Sequence, residues 1–193
     1  MRLFVALDIE PAIHEKLARF LASLKGQAPE VRWVRPESLH VTLKFIGEVK
    51  EERAAQIKKA LASVQATAPT VTFSGTGFFP TARAARVFWV GVQADEKLAE
   101  LARKVDGAAA VAGGEREKNS YKPHLTLARS GSGSPRPRPG ERAEPGFERV
   151  QHIVDKMPLA EFGTMTPRQF FLYESKLGPG GAKYTKIQAY PLG

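Results

Sequence analysis

Two short phrases, Ser38–Phe45 (SLHVTLKF) and Lys122–Arg129 (KPHLTLAR), each place a histidine two residues before a threonine and a leucine directly after it. The chain has four histidines, and two of them occupy this same setting, one in each half. Both phrases carry the apolar and β-branched residues typical of strands, where residues two apart share a face. His40 and Thr42 then point one way, as do His124 and Thr126, so each motif offers an imidazole beside a hydroxyl. If both strands line one cleft, the four groups meet one ligand. Two imidazoles with ordinary pKa values of about 6.5 can stand one neutral and one protonated near neutral pH, which is what general acid–base catalysis requires. A phosphodiester suits the pair. The neutral imidazole takes a proton from an attacking water, the protonated one gives a proton to the leaving oxygen, and the threonine hydroxyls donate to the non-bridging oxygens.

Competing chemistries are narrower. Neither motif contains a second histidine or a carboxylate at metal-ligand spacing, and threonine is a poor zinc partner, so no metal and no cofactor are expected. The chain has no cysteine, which removes disulfides, thiolate nucleophiles and thiolate metal sites. No Gly-x-Ser-x-Gly elbow is present, and the glycines near Gly113 are not followed by the Lys-Ser or Lys-Thr of a phosphate loop. A single His-x-Thr on a strand is usually structural; the repetition makes it a candidate site. His14 and His152 lack the threonine partner and read as structural. The formal net charge of +9 favours polyanionic partners. No apolar run is long enough to span a membrane, and the N-terminus does not resemble a secretory signal, so a soluble, cytoplasmic protein is expected.

The elements that must carry these groups follow from the hydrophobic pattern. RLFVALDI (2–9) reads as a buried strand, and a helix follows with Leu17, Phe20, Leu21 and Leu24 at helical spacing, ended by Gly26 and Pro29. VRWV (31–34) leads through Pro36 into the first motif strand. A second amphipathic helix sets Ala54, Ile57, Leu61 and Val64 on one face. Strands over 70–79 and 86–93 flank a turn, a third helix runs over 96–111, and the second motif strand is expected directly after it. Residues 130–146 are too rich in Gly, Pro and Ser to pack and read as a mobile loop. A short helix or turn within 147–159 and strands over 166–177 and 182–192 complete the chain. Several strands succeed one another without a crossover helix, which predicts an α+β fold with mixed or antiparallel sheets, not a doubly wound one. Trp33 and Trp89 are expected in the core.

In these motifs and their flanks the chain resembles the 2H phosphoesterases, and within them the RNA 2′,3′-cyclic phosphodiesterases also called 2′-5′ RNA ligases. The likeness covers the opening RLFVALDI, the motifs in their settings SLHVTLKFIGEV and YKPHLTLAR, and the closing LYESKLGPGGAKYTKI. It implies a single bilobal α+β domain over residues 1–193 with pseudo-twofold symmetry, the two motif strands lining a central basic cleft. It also implies metal-independent hydrolysis of an RNA 2′,3′-cyclic phosphate to a 2′-phosphate by a monomeric enzyme, with His40 and His124 catalytic and Thr42 and Thr126 on the phosphate. Expelling O3′ needs an acid near O3′ and a base opposite; His40 is assigned as acid and His124 as base. Arg129 is a candidate phosphate ligand and Phe45 a candidate base-stacking residue, since both match what such proteins hold there. Strict alternation sets both on the face opposite their histidines, so a bulge or twist must re-aim them if they act. Tyr121, Lys122, Arg35, Lys183 and Tyr184 are lesser candidates for the cleft, and Arg136 and Arg138 for an RNA tail. The readings that keep the same residues are a 2′-5′ ligase, a phosphodiesterase for small cyclic nucleotides or an ADP-ribose cyclic phosphate, and a non-catalytic RNA-end-binding module.

Overall fold

β1 (Arg2–Leu7) sits at the centre of the architecture because both of its faces are apolar: Leu3, Val5 and Leu7 enter the main core, while Phe4 and Ala6 enter a smaller cluster on the other face. The computed structural model describes residues 1–131, 140, 142–178 and 181–193. Among them, two antiparallel sheets and four α-helices form the fold. One sheet has the order β3-β1-β8-β9, with β3 (Val41–Glu48), β8 (Gln169–Gly178) and β9 (Gly181–Pro191). The other has the order β2-β6-β5-β4-β7, with β2 (Arg32–Trp33), β4 (Val71–Phe79), β5 (Val87–Ala94), β6 (His124–Arg129) and β7 (Glu161–Met165). Each motif strand therefore lies in a different sheet, and each sheet draws strands from both halves of the chain. β7, a five-residue strand interrupted by Gly163, is not evident from the pattern.

α1 (Pro11–Gln27) and α2 (Glu51–Ala62) bury most of the stripes expected of them, but Phe20 stays half-buried, Val64 lies beyond the end of α2, and α1 runs through Gly26 to Gln27. α1 turns Ile13, Leu17, Leu21 and Leu24 inward and begins at Pro11, a residue pre-set for the first helical position. α2 buries Ala54, Ile57 and Leu61, and α3 (Glu96–Val111) buries Leu98, Leu101, Ala102, Val105 and Ala109. These side chains and those of α4 (Pro145–Val154) join the inner faces of both sheets in one continuous core. The two lobes are thus fused at their centre.

Two further expectations need correction. The second motif strand does not follow α3 directly, because residues 112–123 intervene without regular structure. The glycine pair there closes the helix: Gly113, at φ +83°, donates to Ala110 O at 2.8 Å and Gly114 donates to Ala109 O at 2.8 Å, a Schellman cap that needs the left-handed conformation. The segment expected as loop is also shorter, since α4 takes up Pro145 and Gly146. Residues 132–139 and 141, including Arg136 and Arg138, lie outside the described residues.

Candidate active site

The two motifs are the same local structure written twice. From histidine to the sixth residue, both run half-buried, buried, half-buried, buried, buried, exposed. The pairing shows why the pattern breaks strict alternation. Along β3, Ala6 pairs with Thr42 and Val5 with Lys44, so Leu43 is an extra residue; along β6, Trp89 pairs with Thr126 and Phe88 with Ala128, so Leu127 is extra. A β-bulge thus stands at the same motif position in both strands, and each shifts the following side chains to the other face. Phe45 pairs with Phe4, two residues from Thr42's partner Ala6, and Arg129 pairs with Val87, two residues from Thr126's partner Trp89. Phe45 accordingly shares the face of Thr42, and Arg129 that of Thr126. Phe45 is 62% exposed there.

Both imidazoles are held by the same device. His40 Nδ1 lies 2.7 Å from Ser38 O and His124 Nδ1 lies 2.9 Å from Lys122 O. A carbonyl oxygen only accepts, so Nδ1 carries the hydrogen in each ring and Nε2 is left with its lone pair when the ring is neutral. The 3₁₀ turn Pro36–Ser38 that delivers His40 is anchored from α1, where His14 Nε2 donates to Pro36 O at 2.8 Å; His14 is structural in this sense.

Aromatic rings bed both histidines. His40 packs on Phe4 with centroids 4.8 Å apart and meets Tyr184 edge-on at 5.2 Å, with Tyr173 stacked beneath Phe4 at 5.0 Å. His124 meets Phe79 edge-on at 5.2 Å. Trp89, expected in the core, lies on the cleft face because it pairs with Thr126, while its neighbours Phe88 and Val90 point into the core. Its indole covers Gly77, where any Cβ would overlap the ring. Trp33 does pack against the core and donates Nε1–H to Ala28 O at 2.8 Å.

Burial and charge push both imidazoles toward the neutral form. His40 is lowered to about 4, first by desolvation and further by the positive charge of Arg129 and by His124, while the bond to Ser38 O and the Asp8 carboxylate oppose the shift. His124 is also lowered, by desolvation and then by Arg129, against its bond to Lys122 O. The free site thus holds two neutral imidazoles at pH 7, unlike the one-neutral, one-protonated pair expected from ordinary pKa values. Arg129 reaches Thr126 Oγ1 at 3.5 Å.

The sheets are tied across the site. Tyr121 Oη donates to Thr42 O at 2.9 Å, linking the loop before one motif to the strand of the other. The bulge sends Lys44 away from the cleft, where its buried ammonium meets Asp106 Oδ1 of α3 at 2.7 Å and Glu115 O at 2.9 Å. A groove of about 1120 Å³ opens between Thr42, Phe45, Phe79, Asn119, Tyr121 and His124 and runs along α3; His40, Thr126 and Arg129 lie outside it. Of the lesser candidates, Tyr184 stands beside His40, Lys122 lines the groove and its carbonyl holds His124, and Lys183 is exposed opposite Lys176 near the β8–β9 turn. Phe4, Tyr173 and Phe79 were not singled out from the pattern; they read as ordinary strand aromatics, and only the pairing register aims them at the histidines.

Known proteins resemble this chain along its whole length. The family model described as LigT like Phosphoesterase matches residues 7–89 and again 90–184, one motif in each match. An RNA 2′,3′-cyclic phosphodiesterase of Archaeoglobus fulgidus is 36% identical over 190 residues, covering 98% of this chain and 99% of that protein. Its counterpart in Methanothermobacter thermautotrophicus is 30% identical over 194 residues, covering 100% and 99%. The crystal structure of Escherichia coli LigT complexed with 3′-AMP superposes with a TM-score of 0.76 at 26% identity, over 99% of this chain and 97% of that one. A twice-matched family model and relatives aligned end to end show the family: the chain belongs to the LigT-like phosphoesterases, within the 2H phosphoesterases.

Proposed function

We propose that this protein hydrolyses the 2′,3′-cyclic phosphate at an RNA end to a 2′-phosphomonoester, using His40 and His124 and no metal. The observation that carries the reading is the matched fixing of both imidazoles, Nδ1–H held by a backbone carbonyl and Nε2 left to exchange a proton, each beside a threonine hydroxyl. The relatives named RNA 2′,3′-cyclic phosphodiesterases support the reaction class.

Water attacks phosphorus in line with the P–O3′ bond. His124 Nε2 takes a proton from the water as the new P–O bond forms, and His40 gives its Nε2 proton to O3′ as the old bond breaks, leaving the phosphate on O2′. Thr42, Thr126 and Arg129 hold the non-bridging oxygens, on which charge accumulates, and Phe45 offers its exposed face to the terminal base. Because the free imidazoles are depressed mainly by burial and by Arg129, the negative charge of the bound phosphodiester supplies what is missing to protonate one of them. An imidazolium formed in this way is a ready proton donor.

The test is incubation of a short RNA bearing a 2′,3′-cyclic phosphate in excess chelator, with wild type, His40→Ala and His124→Ala, resolving 2′- from 3′-phosphate products. The expected result is 2′-phosphate from the wild type and a loss of roughly 10²–10⁴-fold in each variant. An activated leaving group at O3′ is expected to rescue His40→Ala alone; rescue of His124→Ala would reverse the roles. Tight binding without turnover would instead identify an RNA-end-binding module.

A further inference from the structure

β2 is two residues long, and it sets Arg32 directly opposite Arg129 at the edge of the second sheet. Cross-strand partners project from the same face with Cβ atoms about 4.5–5.5 Å apart, and like charges so placed repel. Here that face is the cleft face, since Arg129 shares it with Thr126, while Trp33 next to Arg32 turns into the core. Among the described residues no carboxylate comes within ion-pair distance of either guanidinium. The acid nearest in sequence, Glu30, is taken by Arg149 at 3.2 Å. Arg32 and Arg129 are both exposed as residues, and Arg129 makes only a long 3.5 Å contact, to Thr126 Oγ1. Two guanidiniums paired across the strands on one face, costly to each other, match the oxygen fork of a phosphate.

We propose that Arg32 and Arg129 grip a second phosphate group, the one on O5′ of the terminal ribose, so that the site selects ends carrying a 5′-phosphoryl group over bare nucleoside 2′,3′-cyclic phosphates. The proposal rests on the hydrolytic reading above, which sets the cyclic phosphate at Thr42, Thr126 and the two imidazoles. From Thr126 to Arg129 the ladder advances two steps, about 7 Å at ~3.3 Å per residue, so a second anion can sit beyond the first without displacing it. Arg129 stands between the two phosphates and Arg32 meets only the outer one. A phosphate on O5′ has two sources, the internucleotide diester of an RNA chain and the terminal monoester of a mononucleotide.

The experiment compares three substrates that differ only at O5′: a nucleoside 2′,3′-cyclic phosphate, the same compound with a 5′-monophosphate, and a dinucleotide ending in the cyclic phosphate. Each is assayed with wild type, Arg32→Gln and Arg32→Lys, whose melting temperatures are compared to verify folding. In the wild type the two phosphorylated substrates are expected to exceed the bare one in kcat/KM, chiefly through KM. Arg32→Gln is expected to shrink that ratio by about tenfold or more, the scale of one charged hydrogen bond, and Arg32→Lys by less. A preference for the 5′-monophosphate alone would assign the grip to a mononucleotide, and a preference for both to RNA. A ratio unchanged by Arg32→Gln overturns the proposal, as does a preference for the dinucleotide alone, which would mean that the upstream nucleoside and not its phosphate is held. If the wild type turns over none of the three, the hydrolytic reading falls. The clamp is then read by calorimetry from the affinity ratio of a nucleoside 2′,5′-bisphosphate to its 2′-monophosphate, by the same criterion.

Discussion

Filling the site with an anion that does not itself titrate, such as sulfate, is expected to raise the pKa of His40 from about 4 to the neutral range. The low starting value comes first from burial and then from the positive charge of Arg129, which the Ser38 carbonyl and Asp8 only partly offset, so a single negative charge beside the ring acts directly on a cause of the shift. At about 4 Å and an effective dielectric constant of about 20 that attraction is worth ~4 kcal/mol, enough to offset the lowering and carry the ring back up toward its ordinary range. The sign follows: the anion prefers the imidazolium, so its binding strengthens as pH falls through the window between the bound and free values. The gain is at most about tenfold per pH unit for one proton, and binding levels off once pH drops below the free value. NMR titration of the imidazole ε1 protons, with and without saturating sulfate and with His40→Gln to assign the signal, reads both values. A free His40 titrating near its ordinary value, or one that sulfate leaves unmoved, would refute the reasoning.

Other outcomes follow from the packing around the site. Asp106→Ala strands the Lys44 ammonium, which is 8% exposed, and is expected to cost about 3–5 kcal/mol in denaturant unfolding. Lys44→Met, which keeps the stem and leaves Asp106 with Arg116 at 3.8 Å, is expected to cost less; equal losses would mean that the pair is not holding charge in the interior. Gly77→Ala forces the Trp89 indole from its bed, at about 1–3 kcal/mol, with a change in tryptophan fluorescence. An unchanged melting temperature and spectrum would show that the indole does not lie there.

Which parts of this were legible in the residues depends on how local their cause is. The limits of α3 and most of the inward stripes of α1 and α2 follow from spacing within one element. The bulges do not, because the extra residue at Leu43 or Leu127 is defined only against the register of β1 or β5. Simple alternation therefore turned Phe45 and Arg129 away from their histidines, and the same blindness assigned Trp89 to the core. Arg32 drew no attention because its neighbour Arg129 lies almost a hundred residues on, and β2 is too short to declare itself. The glycines after α3 were weighed only as a phosphate loop, although their spacing also fits a helix cap.

The order β3-β1-β8-β9 has a consequence for synthesis. β1 is made long before its inner neighbour β8, and Leu3 pairs with Glu174 across about 170 residues. Until that partner arrives, the strand behind the first histidine offers an unpaired edge to whatever is nearby. Closure over so long a stretch of chain is entropically slow, which predicts late, all-or-none acquisition of activity during translation and exposure to aggregation before it. It also means that a fragment ending before β8 would carry both motifs and still lack the strand that completes the bed beneath His40.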